Sequence, residues 1–361
     1  MGVCARHLEP RLPIVKAPGH IGPAAIRLPA PMHCTVIAAI LLTCGGVVSA
    51  QEPRPKKPGI PDVERRIPIE QLVPQAVFEI PGVPDWQAID ESVFVSNGPK
   101  NSIARLDPKT NKVAATIAVG KEPGAGLAIG FGSVWVPCCG DPSLVRVDLK
   151  TEQVVAKIAV DIADSEGGLA VGAESVWLLT DKKGALARID PATNQVVAWL
   201  RVEPGSFAAA FGEGAVWVTC TEKSLLQRID PRTNLVVERI AVGKNPRFLA
   251  VGEGAIWTLN QGDGSISRVD SKTNKLVATI EAGLVGGGGE IAVGEGSVWA
   301  TVFQYPITRI DPRTNQVAQQ FFGPGGDAIR VGHGSVWLSN LREQNVWRLD
   351  PRRIEAARRP E

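Results

Sequence analysis

The chain has 361 residues, among them 38 glycines and 28 prolines but one tyrosine and two methionines. So many turn formers leave few stretches long enough for a helix, which points to an all-β protein whose length comes from repetition of one unit. A formal charge of +2, with acids and bases interspersed, gives no basic surface for neutralising phosphates and excludes nucleic acid as a partner.

From the N-terminus, Thr35 to Val48 is an apolar run ended by Val48-Ser49-Ala50, a small-residue pattern that signal peptidase accepts. Residues 1–50 are therefore expected to be a leader cleaved near Ala50, with the mature chain periplasmic or secreted. The run is shorter than the roughly 20 apolar residues a membrane helix needs, so no transmembrane segment is expected in the mature chain. Leu41-Leu42-Thr43-Cys44 loosely resembles a lipobox, although Thr fits poorly before the cysteine; a lipoprotein anchored at Cys44 is the alternative. Cleavage removes four cations (Arg6, Arg11, Lys16 and Arg27) and one acid (Glu9), which takes the charge from +2 to −1. It also removes Cys4, Cys34 and Cys44, leaving Cys138, Cys139 and Cys220 in a compartment where disulfides persist.

Residues 51–75, with six prolines, read as an extended tether. Beyond them one aromatic recurs at Phe94, Trp135, Trp177, Trp217, Trp257, Trp299 and Trp337, at spacings of 41, 42, 40, 40, 42 and 38. An Arg-apolar-Asp triplet keeps step, ending at Asp107, Asp148, Asp190, Asp230, Asp270, Asp311 and Asp350. Periods near 40 without helical periodicity are the mark of propeller blades. One unit reads as four strands, Arg247 to Val251, Ala255 to Leu259, Ser265 to Asp270 and Lys275 to Ile280, named a to d from the channel outwards. The c–d turn repeats Asp-Pro-x-Thr-Asn, in which Pro presets φ, Asp accepts a backbone N–H and Asn adopts the left-handed conformation. Arg105, Arg146, Arg188, Arg228, Arg268, Arg309 and Arg348 share a strand face with the Asp two residues on, and are expected to pair with it. The last unit ends at Asp350-Pro351 without strand d, and Val77 to Ile80 resembles the missing strand. The prediction is a seven-bladed β-propeller over residues 76–353, closed by a three-plus-one clasp and followed by a charged tail, 354–361.

Phe94-Val95-Ser96-Asn97 and Trp337-Leu338-Ser339-Asn340 resemble the strand that names the YVTN-type propellers of bacterial envelopes. That superfamily is similar in blade sequence to the streptogramin B lyases, metal-dependent enzymes that open a cyclic depsipeptide with His and Glu side chains on one face. The resemblance thus implies either a binding scaffold or a metal-dependent lyase or hydrolase. Outside the leader the one histidine is His333, in the a–b turn on the opposite face, so no catalytic residue is assigned. A quinoprotein dehydrogenase, suggested by paired cysteines in a propeller, has no cofactor motif behind it.

Unique residues gather on the face made by the d–a and b–c loops. At the entrance to strand a the seven units carry Asp85, Gly126, Gly168, Phe207, Arg247, Glu290 and Asp327. Glu290, Asp327 and Asp85 fall on units six, seven and one, neighbours once the ring closes, with Arg247 on unit five and Glu166 across the channel. Converging carboxylates suit Ca²⁺ or Mg²⁺, or an amine; a solvated rim is the other reading. Beside them Gly286 to Gly289 leaves room, and the Phe303-Gln304-Tyr305-Pro306 loop is expected to place Tyr305 next to the acids. Pro137-Cys138-Cys139-Gly140 could carry a vicinal disulfide, whereas Cys220, two units from Cys138, is expected not to pair with it. The expected ligand is a small molecule, a peptide or an envelope protein.

Overall fold

The computed structural model describes residues 58–358; the leader, its cleavage site and Cys44 lie outside them. Seven sheets stand around an axis, each antiparallel in the order a-b-c-d from the channel outwards. Six blades span 84–118, 128–159, 169–201, 206–241, 246–281 and 291–322. The seventh joins Ile329–Gly332, Ser335–Asn340 and Asn345–Leu349 to the N-terminal strand Ala76–Glu79, which pairs antiparallel through Val77↔Trp347 and Phe78↔Val346. Strand a of this blade meets strand a of blade 1, so the ring closes through the three-plus-one clasp. In blade 5 the strands are Pro246–Gly252, Ala255–Asn260, Ser265–Asp270 and Lys275–Glu281, within one residue of the sequence expectation.

The landmark aromatics are core: all six tryptophans are at 0% exposure and Phe94 at 2%. Each ring buries roughly 150–250 Å², worth on the order of 4–6 kcal/mol as an upper bound. Each indole N–H also donates to the carbonyl of a glycine five residues earlier, as Trp177 does to Gly172 at 3.0 Å and Trp257 to Gly252 at 3.2 Å. Those glycines are a steric requirement. A Cβ on Gly130 would lie 2.3 Å from Val171 of the next blade, and one on Gly172 would lie 2.0 Å from Phe211. The same contact recurs from Gly212, Gly252, Gly294 and Gly332 onto Val251, Val293, Val331 and Ile89. Blade 1 has a different a–b turn, Asp90-Glu91-Ser92, without this glycine, and it is the blade that carries Phe94 in place of Trp.

The repeated arginines do not pair with the Asp two residues on. Each Asp instead caps its own turn, as Asp190 does by accepting from Ala192 N at 2.9 Å, and Asn194 takes φ 59°. The guanidinium stacks on its blade's Trp, 5.0 Å from the ring centroid for Arg188 and Trp177, and crosses to the c–d turn of the following blade. Arg188 donates to Pro231 O at 2.8 Å and Asn234 Oδ1 at 2.9 Å; Arg268 does the same with Pro312 and Asn315. Arg348 reaches Pro108 and Asn111 of blade 1 and fastens the closing interface. Where the receiving turn lacks the Asn the partner changes: Arg105 meets Glu152 at 2.7 Å and Arg309 meets Glu355 at 2.9 Å. At blade 5 Ser271 replaces the proline, and Arg228 Nε and Asn274 Oδ1 are both left without a hydrogen bond.

From Pro58 on, the stretch expected as a tether is part of the fold. Arg66–Pro68 adds in parallel to Gln316–Phe322 as a fifth strand on blade 6. Ile60, Ile67, Ile69 and Leu72 are buried, and Gly59 at φ 85° lets the chain pass against Tyr305 with Gly59 N donating to Gly283 O at 2.8 Å. The expected charged tail begins as a short helix, Pro351–Ala356, N-capped by Asp350; its Ile354 joins Ile67, Ile69 and Leu72 in one cluster. Both ends of the described chain thus dock on blades 6 and 7.

Two stability measurements follow. Arg188→Lys, which keeps the charge but loses the planar fork, is expected to cost about 1–3 kcal/mol in urea unfolding, and Arg228→Lys markedly less. Equal losses would mean that the interblade bonds contribute nothing. A chain beginning at residue 76 is expected to melt below one beginning at 58, since buried aliphatic side chains worth roughly 1.5–3 kcal/mol each are lost. A chain beginning at 84 also lacks strand d of the closing blade and is expected not to fold.

Candidate functional site

Strand a enters each blade from the loop face, so its first residues ring the channel mouth. Here the expected juxtaposition is present. Arg247 reaches across the axis to Glu166 with Nη2 2.6 Å from Oε2, and its guanidinium lies 4.7 Å from the Phe207 ring and 5.2 Å from the Phe248 ring. Gln261 accepts from Arg247 at 3.3 Å and donates to Gly288 O at 2.6 Å, which ties the glycine run into the network.

Asp85, Glu290 and Asp327 are buried, at 7%, 3% and 9% exposure. Asp85 and Asp327 stand side by side, and burial, with repulsion from Asp327 adding to it at Asp85, favours the protonated form of both. Asp327 Oδ1 also accepts from Gly289 N at 2.8 Å. Glu290 turns away from this pair: Oε1 engages Arg330 Nη1, and Oε2 accepts from Ile329 N at 3.1 Å. The carboxylates expected to hold Ca²⁺ or Mg²⁺ thus divide, Asp85 beside Asp327 and Glu290 in an ion pair with Arg330. Among the described residues no group of three or more His, Cys, Asp or Glu is set to hold a metal ion. Glu290 is thus diverted from the cation site that the sequence suggested, toward Arg330.

The other expectations divide as well. Tyr305 stands apart from the acids: it is buried at 8%, and its hydroxyl donates to Pro58 O at 3.1 Å beneath the N-terminal strap. It lines a separate groove of about 500 Å³ on the loop face, between blades 6 and 7, with Phe303, Phe322, Arg342 and Glu343. Cys138 and Cys220 are free buried thiols, so the vicinal bridge to Cys139 is not formed; Cys139 is not free. Cys138 ends strand b, where neighbouring side chains point to opposite faces and cannot meet without distorting the peptide. Burial pushes its thiol up to about 12. His333 sits at φ 53° in its a–b turn with Nε2 2.6 Å from Asp90 O, far along the chain axis from the loop-face acids.

Sequence reasoning passed over Trp86 and Arg330. Trp86 extends over the axis, where a Cβ on Gly167 would come within 2.7 Å of its ring, and it packs against Phe248 at 6.0 Å. The Arg330 guanidinium lies 5.6 Å from the Trp86 ring. The signal for Arg330 was in the repeat: the residue opposite the landmark aromatic is Ala88, Ala128, Ala170, Ala210, Ala250 and Ala292 in six blades and arginine in the seventh.

Burial holds Asp85 well above the usual carboxylate range, with repulsion from Asp327 adding to it; burial likewise pushes Asp327 up to about 6 and Glu290 to about 7. Burial raises Glu166 too, against the opposing pull of Arg247. Carboxyls raised in the folded state stabilise it fully below their unfolded values near 4 and lose that contribution as pH rises through about 6 to 7. Asp85→Asn, which keeps a donor toward Asp327 without a titrating group, is expected to raise the melting temperature at pH 8, with the gain shrinking toward pH 5. A gain independent of pH, measured by thermal denaturation across that range, would show that Asp85 is not the strained member.

No protein-family model and no curated protein matches the chain. Among solved structures it is similar to a streptogramin B lyase, with TM-score 0.65 and 17% identity over 76% of this chain and 96% of that one. It is also similar to a catalytically inactive virginiamycin B lyase from Staphylococcus aureus with quinupristin, at TM-score 0.64 and 15% identity over 74% and 94%. A chain of the mitotic checkpoint complex matches at TM-score 0.66 and 12% identity over 87% and 99%. At these identities the likeness is one of fold, the seven-bladed propeller, and that fold serves both an enzyme and a protein assembly.

Proposed function

We propose that the protein is an exported, non-catalytic propeller that binds a small molecule, a peptide or a protein partner on its loop face. The observation that carries the reading is a contrast on that face. Two of the acids at the axis are tied up in ion pairs, Glu166 with Arg247 and Glu290 with Arg330. The groove between blades 6 and 7, by comparison, offers Phe322 at 41% exposure and the Phe303 ring with Arg342 5.2 Å from its centroid. One exposed and one half-buried aromatic beside Arg342 and Glu343 suit recognition without chemistry. The lyase reading rests on fold alone and would need the histidine that the loop face lacks among the described residues.

The decisive assay incubates the protein with quinupristin and MgCl₂ and follows ring opening by mass spectrometry. No linear product is expected; product above the no-protein control would restore the lyase reading. In parallel, ligands that raise the melting temperature in a screen are expected to lose their effect in Phe322→Ala and Arg342→Ala.

A further inference from the structure

Beneath Trp86 the channel continues as a well of about 290 Å³ toward the a–b turn face. Its walls are the inner edges of the strands: Leu127, Ile129, Val171, Phe211, Ile291 and Val293 supply apolar surface, and alanines leave the width. Glu290 and Arg330 are its charged lining, and Arg330 is the arginine that stands where six other blades have alanine. Arg330 is one-quarter exposed, at 26%. Its Nη1 serves Glu290 and donates to Ile329 O at 2.8 Å. Its Nη2 and Nε make no hydrogen bond to the described residues. Glu290 is held from two sides, by Arg330 and by Ile329 N, so its charge is offset toward an entering anion.

We propose that this well is a binding site for a small monocarboxylate with an aliphatic body, entering from the a–b turn face. The carboxylate takes the free edge of Arg330 and the hydrocarbon fills the apolar wall. Guanidinium presents parallel N–H donors that match a carboxylate, and the low-dielectric surroundings strengthen that contact. A cavity near 150 Å³ accommodates benzene, so the well has room for roughly a dozen heavy atoms. The site is on the opposite side of the Trp86 plug from the loop-face groove and does not depend on what that groove binds.

The test uses the purified protein with sodium octanoate as probe, and with octylamine and octanol as comparators that keep the chain and change the head group. Octanoate is expected to raise the melting temperature saturably and to give a calorimetric isotherm, whereas the amine and the alcohol give neither. Arg330→Ala, which installs the residue of the other six blades, is expected to weaken octanoate binding about tenfold or more. Because that change leaves Glu290 unpaired, Ala210→Phe supplies an independent arm: it fills the well from across the channel with the ion pair intact, and should abolish binding. Absence of octanoate binding to the wild type, equal binding of octylamine, or undiminished affinity in a folded Ala210→Phe protein would each overturn the proposal.

Discussion

Every blade of this protein is unfinished until its neighbour arrives. The Trp of one blade is covered, the glycine that accepts its indole N–H lies under an apolar side chain of the next, and the arginine stacked on that Trp ends on the next blade's turn. Burial, steric fit and hydrogen bonding therefore all act across the same interface. The consequence is cooperativity around a circle: each interface needs a successor, and the last successor is blade 1.

That dependence explains which parts of the architecture were legible in the sequence. Trp, Arg-apolar-Asp and Asp-Pro-x-Thr-Asn recur because each blade solves the same packing problem, so the number of blades, the strand limits and the clasp follow from periodicity. The partner of each arginine was not legible, because strand alternation puts Asp190 beside Arg188 on one strand and says nothing of Pro231 and Asn234 on another chain segment. The strap over blade 6 was hidden for a related reason: six prolines argue for an open tether, while Ile67, Ile69 and Leu72 find their cover in residues hundreds of positions away.

The channel mouth was legible as a place and not as a chemistry. Aligning the units gathered Asp85, Glu290, Asp327, Arg247 and Glu166, and the fold does bring them to the axis. Counting charges of one sign on consecutive blades suggested a cation, yet the pairing is decided by side-chain reach: Arg247 spans the channel to Glu166, and Arg330 enters from a position that the aligned entrance residues did not include. In a ring of near-identical blades, the informative residue is the one that breaks a column of alanines, whether or not it belongs to a recognisable motif.

The docking of both ends of the described chain on blades 6 and 7 sets an order of events. Residues 58–79 are synthesised well before their partners, Phe321, Trp347 and Ile354. The early segment has nowhere to settle until the late one is complete, and the contacts that close the ring span nearly the whole length of the chain. Contacts of such sequence separation form slowly. The lock and the key lie far apart on the same polypeptide, so the ring cannot latch on a chain that holds only one of them.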